Sequence, residues 1–271
     1  MKYLFVMGVP RSGTTIISNT ISKALNSCSI VNTWSLYSRI SRRFPIIMQP
    51  LTRMLRKIGI SKDFLYSTDY IWKELKRLNE KQSMELLGKY LTCTRNEKKV
   101  VVNKRIANVK HLDIIQKKIN NASIIHVKRD PLDTIKSIIQ QRFLKKGSRH
   151  KRWGVFIKNH NYNNKDYILD VTHQYLEIYN QVEFYSNIIK DSCSVQYEQF
   201  CLNTKKTIQK IGSKYNLKMS DLVFENIVLK KYDHDDDFVK KVCTILLQSN
   251  NDDLIKYAEN KLRNINQKNV S

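Results

Sequence analysis

The sequence lacks the features that mark membrane-spanning and secreted proteins. No apolar run approaches the ~20 residues that a membrane-spanning helix requires. The first such run, residues 2–7, is only a strand long and leads into a glycine-containing loop, so it does not resemble a signal peptide. The five cysteines (28, 93, 193, 201 and 243) are odd in number and form no C-x-x-C pair. We therefore expect a soluble, cytoplasmic protein with reduced thiols and no cysteine-based zinc site.

Acidic residues are also scarce. The 271-residue chain has 24 Asp and Glu against 48 Lys and Arg, a formal net charge of +24. A field of this sign attracts polyanions and speeds their encounter with the protein. The basic residues are spread along the chain rather than collected in one arm, so nucleic acid is not the expected partner. A non-catalytic, basic nucleic-acid-binding protein is kept as an alternative.

The first twenty-five residues contain the most informative pattern. The apolar run 2–7 predicts a buried strand, and residues 8–15, GVPRSGTT, form what we call the glycine loop. Apolar residues at 17, 21, 24 and 25 then follow a helical period. A strand, a glycine-bounded loop and a helix in this order direct free backbone N–H groups and a helix N-terminus at one point. The pattern predicts an anion-binding site.

The two glycines have the spacing of a Walker A loop, G-x-x-x-x-G-K-[ST]. Thr14 stands where the Walker lysine would reach the terminal phosphates of a triphosphate, and Arg11 adds a cation within the loop. This suits a nucleotide without β- and γ-phosphates, bound through its 5′ group. A nucleotide kinase or NTPase is the alternative in the same fold class. The missing lysine disfavours it, as does Asn103-Lys104 where a Mg²⁺-binding acid would be expected.

Strand and helix patterns alternate along the chain. They predict a single α/β domain over 1–271, with a P-loop NTPase-like, mostly parallel sheet flanked by helices on both faces. In open sheets of this class the ligand lies at the carboxyl ends of the strands. Further strands are expected at 29–33, 99–104, 122–128 and 194–197. Further helices are expected within 34–59 and 68–94, at 108–119, 131–145, 166–190 and 204–215, and in a charged C-terminal tail over 235–271.

A second motif lies at residues 124–137, where a strand runs into a helix. Asp130 suits the N-cap, Pro131 suits the first turn, and Asp133 is placed to complete a capping box. Arg129 stands immediately before the helix, and Ser137 lies about two turns further on. Arginine forms strong, geometrically selective hydrogen bonds with phosphate oxygens.

Together, the two motifs resemble those of sulfotransferases, and the glycine loop is most similar to that of the tyrosylprotein and bacterial-type members. The resemblance spans about residues 2–215. It implies 3′-phosphoadenosine 5′-phosphosulfate as donor, without a metal. It also implies that Arg11, Ser12, Gly13, Thr14 and Thr15 hold the 5′-phosphosulfate, and that Arg129 and Ser137 hold the 3′-phosphate.

Two shorter segments extend the resemblance. Residues 101–104, VVNK, resemble the family's strand that ends in a lysine, which implies that Lys104 stabilises charge on the transferring sulfuryl group. Residues 195–200, VQYEQF, resemble its later strand-Tyr-Glu segment. There the family's tyrosine contacts the nucleotide and its glutamate is structural, which implies these roles for Tyr197 and Glu198.

The residue that accepts the acceptor's proton is not identified by the resemblance. Ile106 stands at the position of the base histidine of cytosolic members, and residues 30–36 contain no acid where tyrosylprotein-type members have a glutamate. Asp69 is our first candidate. A degenerate member that binds donor without turnover is a further alternative.

The acceptor is expected to bind between residues 34–94 and 143–165, the insertions between core elements. It could be a glycan, a peptide, a lipid or a small alcohol, and the net charge favours an anionic one. The sequence does not indicate an oligomeric state.

Overall fold

The computed structural model describes residues 2–25, 28–31, 76–77, 79, 100–157, 166–217 and 227–268. Its centre is a five-stranded sheet in which every pair of neighbours is parallel, with the strand order β2-β3-β1-β4-β5. Since the strands are parallel, all their carboxyl ends lie at one edge. The strands are β1 (Lys2–Met7), β2 (Cys28–Val31), β3 (Val100–Lys104), β4 (Ala122–Lys128) and β5 (Cys193–Gln196).

The helices between these strands lie close to their predicted positions. A 3₁₀ segment, Ile106–His111, replaces the first turns of the helix predicted at 108–119. Tyr197 begins a helix instead of ending β5. The helices are α1 (Thr14–Ala24), α2 (Leu112–Lys118), α3 (Pro131–Lys146), α4 (Tyr167–Ile188), α5 (Tyr197–Leu202), α6 (Thr204–Lys214), α7 (Asp236–Leu246) and α8 (Asp252–Lys268).

The sheet is covered on both faces, as the continuous apolar strands predict. Alternate residues of β1 point to opposite faces, so Leu4 and Val6 pack with α1 and α6. Phe5 and Met7 pack on the other face, with helices α2, α3, α4, α7 and α8. This arrangement confirms the predicted α/β class. Among the helices that the structure describes, none is both long and apolar enough to cross a membrane.

The C-terminal helices belong to the core rather than to a peripheral tail. Val242 and Leu246 of α7 and Ala258 of α8 are fully buried in the same apolar cluster as α4. The segment that precedes α7, residues 227–235, therefore returns to the sheet, and it passes the carboxyl edge of the strands.

Several sequence predictions lie outside the described residues. They include the helices within 34–59, most of those within 68–94, and Asp69. Residues 76–77 are helical, as predicted.

Candidate functional site

The glycine loop connects the end of β1 to α1 and is tightly packed. A Cβ on Gly8 would lie 2.5 Å from the carbonyl oxygen of Val127, so only glycine lets the loop approach β4 this closely. Arg11 and Gly13 both have left-handed backbone conformations, with φ of 75° and 92°. These turns set the direction in which the first N–H groups of α1 point.

The N-terminus of α1 suits an anion. Gly13 has no side chain with which to cap the helix, and the first turn contains no acid. The helix dipole and the first backbone N–H groups are thus left to a ligand. The hydroxyls of Ser12 and Thr14 are buried beside this turn, and Ser12 Oγ has no hydrogen-bond partner among the described residues. Thr15, by contrast, is exposed.

Arg129 lies next to the glycine loop, at the carboxyl end of β4, and is 9% exposed. Its Nη1 donates to the backbone oxygen of Arg11 at 3.1 Å, and its Nη2 donates to the backbone oxygen of Lys230. The nearest counter-ion is Asp133, with Oδ2 3.7 Å from Nη2. Arg129 Nε is buried and has no partner in the part of the chain that the structure describes. The guanidinium is therefore fixed in place, and its Nε–H donor is unused among these residues.

Ser137 faces the same point from the second turn of α3. Its Oγ accepts hydrogen bonds from Arg11 Nε at 3.1 Å and from the Tyr232 hydroxyl at 3.2 Å. Arg129 and Ser137, which the resemblance assigns to one phosphate, thus both form hydrogen bonds with Arg11. Arg11 and Ser137 are 126 positions apart in the sequence. We call Arg11, Arg129, Ser137 and Tyr232 the arginine cluster.

No sequence pattern predicted that Tyr232 and the backbone of Lys230 contribute to the site. Residues 227–235 contain neither a helix nor a strand, and no periodic pattern marks them. The adjacent residues 233–237 contain four aspartates, and one of these, Asp235, caps α7, since its side chain accepts from the N–H of Phe238.

The capping box predicted at α3 is half correct. Asp130 caps the helix, because its Oδ1 accepts from the N–H of Asp133 at 3.0 Å. Asp133 does not reach back to Asp130. Its Oδ1 accepts from the N–H of Tyr232 and lies 3.0 Å from His234 Nε2, so it ties the 227–235 segment to α3. Glu198 Oε1 instead accepts from the N–H of Asp130 at 2.9 Å, a structural role.

Asp130, Asp133 and His234 place their ligand atoms within 4.8 Å of one another. These oxygens already accept from the backbone N–H groups of Asp133 and Tyr232, and Asp130 Oδ2 accepts from Tyr257 at 2.8 Å. The cluster is thus explained by helix capping and by segment docking.

Tyr197 connects the two motifs. A Cβ on Gly13 would lie 2.2 Å from Cδ2 of Tyr197, so the ring packs directly on the loop. The Arg129 guanidinium lies 5.0 Å from the centre of the same ring, within the range of a cation–π interaction. Burial raises the pKa of the Tyr197 phenol to about 12, so the group stays neutral and can donate a hydrogen bond.

Lys104 lies at the carboxyl end of β3 and is 5% exposed. Burial lowers its pKa, and the nearby charge of Arg11 lowers it further. Among the described residues, no carboxylate forms an ion pair with it. Two cations that repel each other at the edge of the sheet favour a bound anion, which would stabilise both.

A separate titratable cluster lies on the α4 face of β4. His126 is fully buried, and its Nδ1 lies 2.8 Å from Glu183 Oε2. Burial lowers the pKa of His126, so we assign a neutral ring that donates Nδ1–H to an ionised carboxylate. The hydrogen bond from His126, assisted by Lys128, holds the pKa of Glu183 at about 2. His126 is thus a core residue rather than part of the candidate site.

Comparisons with known proteins bear on the family of the chain and on its fold. The profile described as "Sulfotransferase family" matches residues 4–221. A comparison with curated protein sequences finds no significant match.

Among solved structures, the chain is similar to sulfotransferase STF1 from Mycobacterium tuberculosis H37Rv, with a TM-score of 0.50 and 14% identity over 81% of this chain and 68% of that one. A sulfotransferase from Alicyclobacillus acidocaldarius is also similar, with a TM-score of 0.49 and 10% identity over 98% of this chain and 95% of that one. At 14% identity, the similarity to STF1 indicates the fold alone.

Proposed function

Because the chain belongs to the sulfotransferase family, we propose that it transfers a sulfuryl group from 3′-phosphoadenosine 5′-phosphosulfate to a hydroxyl or an amine. The acceptor oxygen or nitrogen bonds to sulfur, the bridging S–O bond breaks, and its electron pair goes to the 5′-phosphate. The products are the sulfated acceptor, adenosine 3′,5′-bisphosphate and a proton. The observation that carries this proposal is the arginine cluster, which joins the glycine loop to the second motif.

The glycine loop would hold the 5′ end of the donor. Residues Arg11–Thr15 offer the N–H groups at the start of α1, the buried hydroxyls and one guanidinium. Thr14 is short and neutral where a Walker lysine would carry charge toward a γ-phosphate. The loop therefore favours a phosphosulfate over a triphosphate.

Arg129 and Ser137 of the arginine cluster would hold the 3′-phosphate. Arg129 has an unused, buried Nε–H, and Ser137 Oγ is already an acceptor for two neighbours, which leaves its own O–H to donate. Tyr232 and the Lys230 backbone fix these groups before the ligand arrives. Such preorganisation reduces the entropy that is lost on binding. Tyr197 would lie against the nucleotide between the two phosphate sites.

Lys104 would act on the reaction itself. Negative charge develops on the bridging oxygen as the S–O bond breaks, and a buried ammonium stabilises that charge more strongly than one in water. Its lowered pKa reflects the same desolvation. The donor's own negative charge counteracts this effect, and it keeps the lysine protonated in the complex.

Asp69 remains the proposed base for the acceptor proton. Asp69→Asn should abolish turnover and leave bisphosphate affinity unchanged, whereas Asp63→Asn, a nearby acid used as the control, should change neither turnover nor affinity. A rate close to that of the wild type in Asp69→Asn would remove it from the mechanism. The net charge of +24 supports an anionic acceptor, such as an acidic glycan or peptide.

The donor assignment is tested by thermal denaturation with three ligands: adenosine 3′,5′-bisphosphate, ATP·Mg²⁺ and a single-stranded RNA. A ligand at one hundred times its Kd stabilises the folded state by ~2.7 kcal/mol. We expect this stabilisation from the bisphosphate at micromolar concentration, and little from the other two. Stabilisation by ATP·Mg²⁺ alone would favour a kinase, and stabilisation by RNA alone would favour a nucleic-acid-binding protein.

A further inference from the structure

A buried polar network joins α3 and α4 behind the turn at residues 153–155. Arg142 is fully buried, and its Nη1 donates to Asp170 Oδ2 at 2.6 Å. Its Nη2 donates to Gln174 Oε1 at 3.1 Å. From the loop, Arg152 Nη2 donates to Asp170 Oδ1 at 3.0 Å. A single carboxylate therefore bridges two arginines, one from a helix and one from the loop.

Gln174, which is 2% exposed, connects this network to the backbone of the turn. Its Nε2 donates to the carbonyl oxygens of Trp153 at 3.1 Å and of Val155 at 2.8 Å. Since its Oε1 accepts from Arg142, the orientation of the amide is determined by its partners. Gly154, between the two carbonyls, has φ of 96°, a conformation that favours glycine.

The turn faces the glycine loop. A Cβ on Gly154 would lie 3.7 Å from Cγ of Pro10 and 3.1 Å from Nε2 of Gln174. A side chain at position 154 would therefore touch Pro10, so the turn lies beside the residue that precedes Arg11. A buried ion pair adds little net stability, because desolvation offsets the attraction between the charges. What the network does visibly is fix the backbone of the turn, through the two hydrogen bonds from Gln174.

We propose that Gln174 is a positioning residue that holds the Trp153–Val155 turn against Pro10, so that the turn walls off the sulfuryl end of the donor from water. This inference rests on the function proposed above. Without the wall, water becomes a competing acceptor. Its oxygen bonds to sulfur, the bridging S–O bond breaks with its electron pair going to the 5′-phosphate, and the protons of water go to the solvent.

The first test measures the turn alone. Gln174→Glu replaces the N–H donors by a carboxylate that repels both carbonyls, and Gln140→Glu makes the same change at an exposed position of α3. Both are made in a Trp34→Phe, Trp72→Phe background, so that fluorescence reports on Trp153. We expect acrylamide to quench Gln174→Glu roughly twofold more strongly, because local opening exposes the indole. Equal quenching in Gln174→Glu, in Gln140→Glu and in their parent would overturn the proposal.

The second test measures donor hydrolysis without acceptor, as release of the bisphosphate. In Gln174→Glu we expect a rise on the order of tenfold, because closed sites protect reactive groups from water. Bisphosphate affinity should stay within about twofold, since the hydrogen bonds of Gln174 go to Arg142 and to the turn rather than to the arginine cluster. Gly154→Ala perturbs the turn from its own side, because the added Cβ would lie 3.1 Å from Gln174 Nε2 at a φ of 96°, and it should act in the same direction. Unchanged hydrolysis in both variants would refute the wall, and so would a loss of bisphosphate affinity as large as the rise in hydrolysis.

These measurements separate the two proposals. If the wild type neither binds the bisphosphate nor hydrolyses the donor, the proposed function fails, and with it the wall. The quenching experiment then still decides whether Gln174 fixes the turn.

Discussion

Replacing Arg129 by alanine should weaken the nucleotide specifically at its 3′ end. The side chain is 9% exposed and lies between the rings of Tyr197 and Tyr232, at 5.0 and 5.9 Å. Losing a charge-assisted hydrogen bond costs ~1.5–3 kcal/mol, or roughly 10- to 150-fold in Kd. We expect that loss for adenosine 3′,5′-bisphosphate and a much smaller one for adenosine 5′-phosphate, which has no 3′-phosphate.

The comparison of the two nucleotides is necessary because Arg129 also has a structural role. Its hydrogen bonds to the backbone oxygens of Arg11 and Lys230 connect the glycine loop to the 227–235 segment. Their loss would affect both nucleotides. Calorimetric titration of the wild type, Arg129→Ala and the exposed control Arg149→Ala separates the two effects. An equal loss of affinity for both nucleotides would refute the assignment of Arg129 to the 3′-phosphate.

Three further predictions concern other parts of the site and the core. Gly13→Ala should lower the melting temperature more than Gly147→Ala, since both residues have positive φ but only at Gly13 would a Cβ meet a ring, at 2.2 Å. A similar melting temperature for the two variants would contradict this packing. Lys104→Ala should cut the transfer rate by ~10²–10³ and leave bisphosphate affinity nearly unchanged, because the lysine acts on charge that develops in the transition state. A fall in affinity as large as the fall in rate would place the lysine in ground-state binding. The pKa of Glu183 falls from 4.5 to about 2 on folding, so its stabilising contribution is complete above pH 4.5 and disappears toward pH 2. Urea denaturation should therefore show Glu183→Gln less stable than the wild type at pH 7, with the gap closing in acid. The pKa of His126 is lowered in the folded protein, so the unfolded chain takes up the proton first. Stability is therefore also lost as the pH falls below 6.5, the ordinary pKa of histidine.

The sheet, the glycine loop and the helix start at the second motif could be predicted from the sequence because their signals are local. The strand at Lys2–Met7 is an uninterrupted apolar run, which a strand buried on both faces requires. The N-cap at Asp130 likewise depends only on residues within one turn.

The rest of the site depends on contacts between residues far apart in the sequence. Tyr232 reaches Ser137 because α7 packs on α4 and brings the preceding segment to the sheet edge, an arrangement that no short pattern encodes. The second half of the capping-box prediction was wrong for the same reason. Asp133 accepts from the distant backbone N–H of Tyr232 instead of from the nearby N–H of Asp130. Gln174 looks like an ordinary helix residue until its two carbonyl partners are seen.

The most direct measurement follows the transferred group. The wild type is incubated with ³⁵S-labelled 3′-phosphoadenosine 5′-phosphosulfate and with pools of acidic glycans, peptides, lipids and small alcohols, without added Mg²⁺, and both labelled products and released bisphosphate are quantified. We predict that one pool raises bisphosphate release above the rate of hydrolysis, with matching transfer of label, and that Lys104→Ala suppresses both. Mg²⁺-dependent release of ADP from ATP, together with no release of bisphosphate from the labelled donor, would contradict the assignment.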